Sequence, residues 1–440
     1  MIKKFSPSLP NRIPYCWLTG LIFLFSFPIF SQVSVTDGTT TLPYTNLRLA
    51  FVAINAGVYT DTVTVSITGT FTDNAATSVL TGVGTYKAVN IQATVPGLVI
   101  ASSQTIFISF SGARRVTMDG GFGGGRLIIR NTNATGQTMV ITNDAQNIIV
   151  RNCNIEGNNS NTNGLIRIVT AITTGNDNIT FDNCIIRNAS NTTPSGGTGT
   201  ATTGNIPRTA MVIQGLATAT NDNITVQNCE FINFFNAQSP TVINMAGNNA
   251  GVSFIGNSFY QTVEFIGNAG FTTYQTIINI ANTDNNIVVR NNFFGGNSAS
   301  AGGSPYILRN PNGNRCRLII IRSASPTATF ENNTIANIRM NFYRIGLPPC
   351  GSCEDGFRGI WINTGNATVR NNTIGSLTAN ASLQFVQETN NMDAGNVTPL
   401  TGIEYGGSGI VENNRVGGIT CSFNAASAYG FNITGILVNA

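Results

Sequence analysis

The sequence contains no histidine. A Ser-His-Asp or Cys-His catalytic unit needs an imidazole that takes and returns a proton near neutral pH, and His-ligated zinc sites need one as a ligand. All of these mechanisms are excluded. Charge is scarce too: 10% of the 440 residues are Asp, Glu, Lys or Arg, where an ordinary soluble domain carries about 25%. Lysine is confined to Lys3, Lys4 and Lys87. The formal charge of +4 falls to +1 for residues 32–440 once Lys3, Lys4 and Arg12 are set aside. That leaves no reserve for the concentrated basic face of a nucleic-acid binder. Beyond residue 31 no apolar run approaches the ~20 residues of a membrane-spanning helix.

What replaces charge is asparagine. The chain has 58 Asn, only five of them in residues 1–130, so the excess belongs to the remaining 310 residues. Residues 1–31 read as a secretory signal peptide: a basic start, an apolar run from Trp17 to Phe30, and Ser31 as a small residue before Gln32. The mature chain is therefore expected outside the cell, secreted or held at its surface. Seven cysteines follow the leader, an odd number that cannot all pair within the chain. Cys350 and Cys353 sit in a Pro-Pro-led loop, where a local disulfide is the expected state. A redox dithiol would need a thioredoxin-like setting, and zinc two further ligands.

One unit recurs: apolar, x, apolar, x, Asn, then Cys or Asn, x, apolar. It appears as IIVRNCNI (148–155), ITFDNCII (179–186), ITVQNCEF (224–231), IVVRNNFF (287–294), ATFENNTI (328–335), ATVRNNTI (367–374) and GIVENNRV (409–416). VSFIGNSF (252–259) is a variant with Gly256 in the Asn place. Copies start 28 to 45 residues apart, a solenoid spacing. Each follows an earlier β-rich run such as TMVITN (138–143), RLIIIRS (317–323) or RGIWINTG (358–365), with period-2 alternation and no helical pattern.

The first Asn of the pair suits a sharp turn with left-handed backbone, as does Gly256. The second position should then point inward and stack as a ladder: Cys153, Cys184, Cys229, Asn257, Asn292, Asn333, Asn372 and Asn414. Amides one rung apart can satisfy each other inside the coil, and the cysteines act there as small apolar fillers. A second inward column holds Ile155, Ile186, Phe231, Phe259, Phe294, Ile335, Ile374 and Val416.

With these motifs the chain resembles secreted right-handed parallel β-helix proteins of the pectin-lyase-like fold, common in Bacteroidetes. The segment 44–69 is similar to that family's opening, where a short helix caps the solenoid, and 108–121 to its first full rung. The expected fold is all-β, a right-handed parallel β-helix solenoid with a short N-terminal helix-containing cap. The expected organisation is a signal peptide at 1–31, an N-terminal cap region with a short helix and the first strands at 32–107, and parallel β-helix coils at 108–440. The last coil, GFNITGILVNA (430–440), lacks its Asn-turn strand, so continuation into further C-terminal modules is expected.

The expected function is an adhesive or structural stalk, secreted or at the cell surface, that binds a polysaccharide or surface glycan through long loops on one side, with no nucleic acid and no cofactor. Its runner-up is a polysaccharide lyase or glycoside hydrolase acting on an acidic polysaccharide, which would bring calcium. Enzymes of this fold use outward strand positions, and here that column reads Asp119, Arg151, Asp182, Gln227, Ile255, Arg290, Glu331, Arg370, Glu412. The catalytic candidates would be Arg151, Arg290 or Arg370 with Asp182, Glu331 or Glu412. Alternating charge one rung apart instead suits a salt-bridge ladder, which keeps Arg protonated. Neither a clustered aspartate trio nor a metal-ligating set is evident. The long segments 189–208, 295–316 and 339–357 are expected as loops on one side, with Tyr306, Phe342, Tyr343 and Phe357 as candidate sugar contacts.

Overall fold

The computed structural model describes residues 31–82, 84–169, 171–189, 206–234, 240–266, 273–310, 316–342, 356–376, 382–388, 398–423 and 431–439. Strands rich in Val, Ile, Thr and Phe meet at one-residue corners, and the corners set the path of the chain. Asn152, Asn183, Asn228, Asn291, Asn332, Asn371 and Asn413 have φ between 51° and 58°, and Gly256, in the equivalent place, 67°. Most L-residues pay about 1–2 kcal/mol for that conformation, whereas Asn and Gly adopt it readily. A second left-handed series, Asn147, Asn178, Asn223, Gly251 and Asn286, stands five residues earlier and was not expected from the repeat.

Each corner carries the chain from one long sheet to the next. Sheet A has thirteen strands, antiparallel among Val33–Thr36, Thr41–Tyr44 and Thr62–Ile67, then parallel through Ser408–Glu412. Sheet B runs from Phe71–Thr72 to Arg415–Val416 and sheet C from Ser78–Thr81 to Phe431–Val438, eleven strands each, all parallel. The chain therefore winds through eleven coils of A, B and C, a parallel β-helix solenoid about 50 Å long at ~4.8 Å per rung. The one helix among the described residues, α1 (Leu47–Asn55), starts where the Asn46 side chain accepts the Leu49 N–H at 3.0 Å. Leu47, Ala50, Phe51 and Ile54 are its buried face, which packs against Ser78–Thr81 in the first coil. Among the described residues no helix is long and apolar enough to cross a membrane.

The coils already begin within 32–107, with parallel strands from Thr62, Phe71 and Ser78. Those first coils use no Asn-Asn corner, which hid them from the repeat. The segments 295–316 and 339–357 are not simply loops. Tyr306–Asn310 and Ile338–Phe342 belong to a fourth parallel sheet, D, with Phe265–Ile266, Leu383–Gln387 and Ile419–Phe423.

Inside the coils the inward column of sheet B is buried from Ile155 to Ile374, with Val416 half-buried in the last coil. Its phenylalanines stack face to face: Phe231 on Phe259 at 4.6 Å and Phe259 on Phe294 at 4.8 Å between ring centroids. One-rung spacing imposes that offset stack, worth about 0.5–1.5 kcal/mol per pair beyond burial.

Candidate functional site

The second residue of each Asn pair points inward. The Cys229 N–H donates to Asn257 Oδ1 at 2.9 Å, and from there each asparagine gives its backbone N–H and its Nδ2 to the next Oδ1. The pairs are Asn257 to Asn292 (2.9 and 3.0 Å), Asn292 to Asn333 (3.1 and 3.1 Å) and Asn372 to Asn414 (3.0 and 2.9 Å). The other Nδ2 hydrogen of these residues reaches a backbone carbonyl, such as Val226 for Asn257 and Phe254 for Asn292. Cys153, Cys184 and Cys229 continue the column as free, buried thiols. Burial, reinforced by the neighbouring Cys184, pushes the Cys153 and Cys229 thiols well above their usual range, away from thiolate chemistry.

A second ladder, absent from the sequence reading, lines the corner from C to A. Asn176 donates its N–H and Nδ2 to Asn221 Oδ1 at 3.0 Å each, and Asn221 Nδ2 donates to Asn249 Oδ1 at 3.3 Å. Asn249 gives its N–H and Nδ2 to Asp284 Oδ1 at 3.2 and 2.7 Å. Asp284 is fully buried, and its second oxygen accepts the Ala281 N–H at 2.8 Å. Burial outweighs these hydrogen bonds and raises its pKa to about 6.

The outward column of sheet A stands in the expected register, one residue per coil from Asp119 to Glu412. Arg151 pairs with Asp119 at 2.8 Å and Arg370 with Glu331 at 3.2 Å. Arg290 and Glu412 are exposed, and neither joins an ion pair among the described residues, so the ladder forms in part. Asp182 instead accepts from Asn228 Nδ2 at 3.0 Å. Burial works against ionisation of Asp119, but hydrogen bonds from Asn152, Gly121 and Arg151 outweigh it and hold the carboxyl below its usual range. The six catalytic candidates are thus strung along a sheet, with no two acids on adjacent rungs.

Three of the four sugar-contact candidates are not on the surface. Tyr306, Phe342 and Phe357 are 4%, 3% and 2% exposed. Their strands turn them into the core, where Tyr306 meets Phe265 at 6.3 Å, Phe342 meets Phe431 at 5.6 Å and Phe357 meets Phe385 at 5.5 Å. The Tyr306 hydroxyl donates to Gln275 Oε1, which makes burying the phenol tolerable. Tyr343, Cys350 and Cys353 lie outside the described residues.

The outer face of sheet C is a different surface. Asn244, Asn279, Arg322, Trp361 and Glu404 occupy successive rungs of one outward row. The Arg322 guanidinium lies 4.9 Å from the Trp361 ring centroid and that of Arg358 4.7 Å. Arg358 also pairs with Glu404 at 2.6 Å. Aligning RLIIIRS, RGIWINTG and TGIEYGG by their apolar residues places Arg322, Trp361 and Glu404 in register, the signal that would have found them. On sheet B, Glu156 is fully buried between Arg130 at 2.7 Å and Arg187 at 2.7 Å.

The chain matches no protein-family description and no curated protein. Among solved structures it is similar to PfbA, a surface adhesin of Streptococcus pneumoniae, at 11% identity over 88% of each chain with a TM-score of 0.38. A second structure of that surface protein and adhesin matches at 12% identity over 88% of this chain and 94% of the other, again with a TM-score of 0.38.

Proposed function

We propose that the mature chain is an extracellular scaffold, secreted or displayed at the cell surface, that works by binding and not by turnover. The observation that carries this reading is the disposition of the outward charges. Arg151, Asp182, Arg290, Glu331, Arg370 and Glu412 are distributed one per coil along sheet A, with Arg151 and Arg370 held by Asp119 and Glu331. An arginine acting as a base must lose its proton, and a carboxylate within 3.2 Å opposes that. The buried ladders meanwhile supply rigidity along the axis, which a stalk requires.

The full chain incubated with acidic polysaccharides, with and without calcium, should form no unsaturated products that absorb in the ultraviolet. Calcium-dependent product formation abolished by Arg290→Ala or Arg370→Ala would overturn the scaffold in favour of a lyase. Fractionation of the producing cells should find the chain outside the cytoplasm and lacking residues 1–31.

A further inference from the structure

We propose that the outer face of sheet C is a binding site for a carboxylate-bearing polysaccharide, centred on Arg322 and Trp361; this deepens the scaffold reading and rests on it. Three observations converge. The first is charge: Arg358 is matched by Glu404, whereas Arg322, on the rung before Trp361, has no carboxylate within ion-pair distance among the described residues. The second is preorganisation. Arg322 is exposed and stacks on Trp361, and among the described residues it makes no ion pair and no hydrogen bond. Its donor fork is held in one plane by the indole while its hydrogen-bonding capacity is directed at solvent. A planar carboxylate accepts two parallel N–H donors from such a fork.

The third is the chemistry of the row. Asn279 donates Nδ2 to Asn244 Oδ1 at 3.0 Å, which orients both amides, and Arg358 fixes Glu404 at 2.6 Å. Amide, guanidinium, indole and carboxylate thus follow one another along about 19 Å at ~4.8 Å per rung. Planar polar groups match hydroxyls and carboxylates, and the half-buried Trp361 offers its apolar ring to the C–H face of a sugar. Arg358 and Trp361, three residues apart, come to one side where the pairing passes over Ile320 and Gly359 together, with the register the same before and after.

Trp361 and Trp17 are the two tryptophans of the chain, so in the full chain carrying Trp17→Phe the indole emission reports this site alone. Titration with alginate, a polyuronate, should shift that emission saturably, with neutral dextran inert and binding weakened by salt. Arg322→Gln, read by retention on immobilised alginate, should weaken binding at least tenfold, and Trp361→Ala likewise. Arg151→Gln on sheet A should leave retention unchanged, and circular dichroism should show all three variants folded. Equal retention by Arg322→Gln, by Trp361→Ala and by the unaltered chain would overturn the site. No binding of alginate, or tighter binding of dextran sulfate than of alginate, would overturn the carboxylate assignment and leave the scaffold standing. Depolymerisation of alginate would instead overturn the scaffold reading.

Discussion

Asn333 gives both its backbone N–H and its side-chain Nδ2 to the single Oδ1 of Asn372, at 3.0 and 2.9 Å, across one rung of the solenoid. Its remaining Nδ2 hydrogen reaches the Val289 carbonyl at 2.8 Å, and its own Oδ1 takes the same two donors from Asn292. Every polar atom of a fully buried side chain is thereby paired. A hydrophobic residue of equal volume could fill the space but could not serve the backbone N–H groups at the corner, which no sheet ladder reaches. Part of the asparagine content of the chain follows from that need, met in the five coils from Asn257 to Asn414.

The corner residue has a different requirement, backbone conformation, and the two can be separated. Asn332 sits at φ 56°. Asn332→Gly should change unfolding free energy by no more than a few tenths of a kcal/mol, since Gly256 already fills the equivalent corner. Asn332→Val should cost about 1–2 kcal/mol, because a β-branched residue resists positive φ. Urea denaturation of both variants checks this, and equal stability would show that the corner is not under conformational constraint.

Asp284 makes stability pH-dependent in the direction opposite to a salt-bridged carboxylate. Its pKa is about 6 in the fold against 3.8 when exposed, through burial. Below about pH 4 the group is protonated whether folded or not. Between pH 4 and 6 the unfolded chain ionises first, so stability drains away as pH rises, by about 3 kcal/mol in all. Asp284→Asn should remove this component. Unfolding free energies of both chains at pH 4 and pH 7 give the comparison, and a wild-type minus variant difference that is flat with pH would contradict it.

The thiols of the ladder should be inert. Cys153, Cys184 and Cys229 are buried, whereas Cys421 is half-buried. Iodoacetamide at pH 8, followed by peptide mass spectrometry, should modify Cys421 while those three survive as long as the chain stays folded. Rapid alkylation of Cys229 would mean that the column is open to solvent.

The fold was legible where every coil spends the same residues on the same task. The Asn corner and the inward residue after it recur because backbone conformation and a buried hydrogen bond each admit very few side chains. Sheet D was not legible, because YILRN, IRMNF, LQFVQ and ITCSF share only a loose apolar pattern that many residues satisfy. That is also why Tyr306 and Phe342 looked like loop aromatics: in a segment rich in Gly, Ser and Asn, a ring that fills the core cannot be told from one facing water. Trp361 and Arg322 escaped notice for the reverse reason. They occur once each, and repetition, the strongest signal in this chain, is blind to a site that exists in one place.

Buried amide columns hold the coils in register, and Asn333→Leu puts that to the test. The substitution strands both Asn292 donors and removes a partner from Asn372 Oδ1 and from the Val289 carbonyl, at about 1–3 kcal/mol for each buried group left unpaired. Urea unfolding of the full chain should show a loss of at least about 3 kcal/mol. Unchanged unfolding of Asn333→Leu would contradict inward stacking and the scaffold built on it.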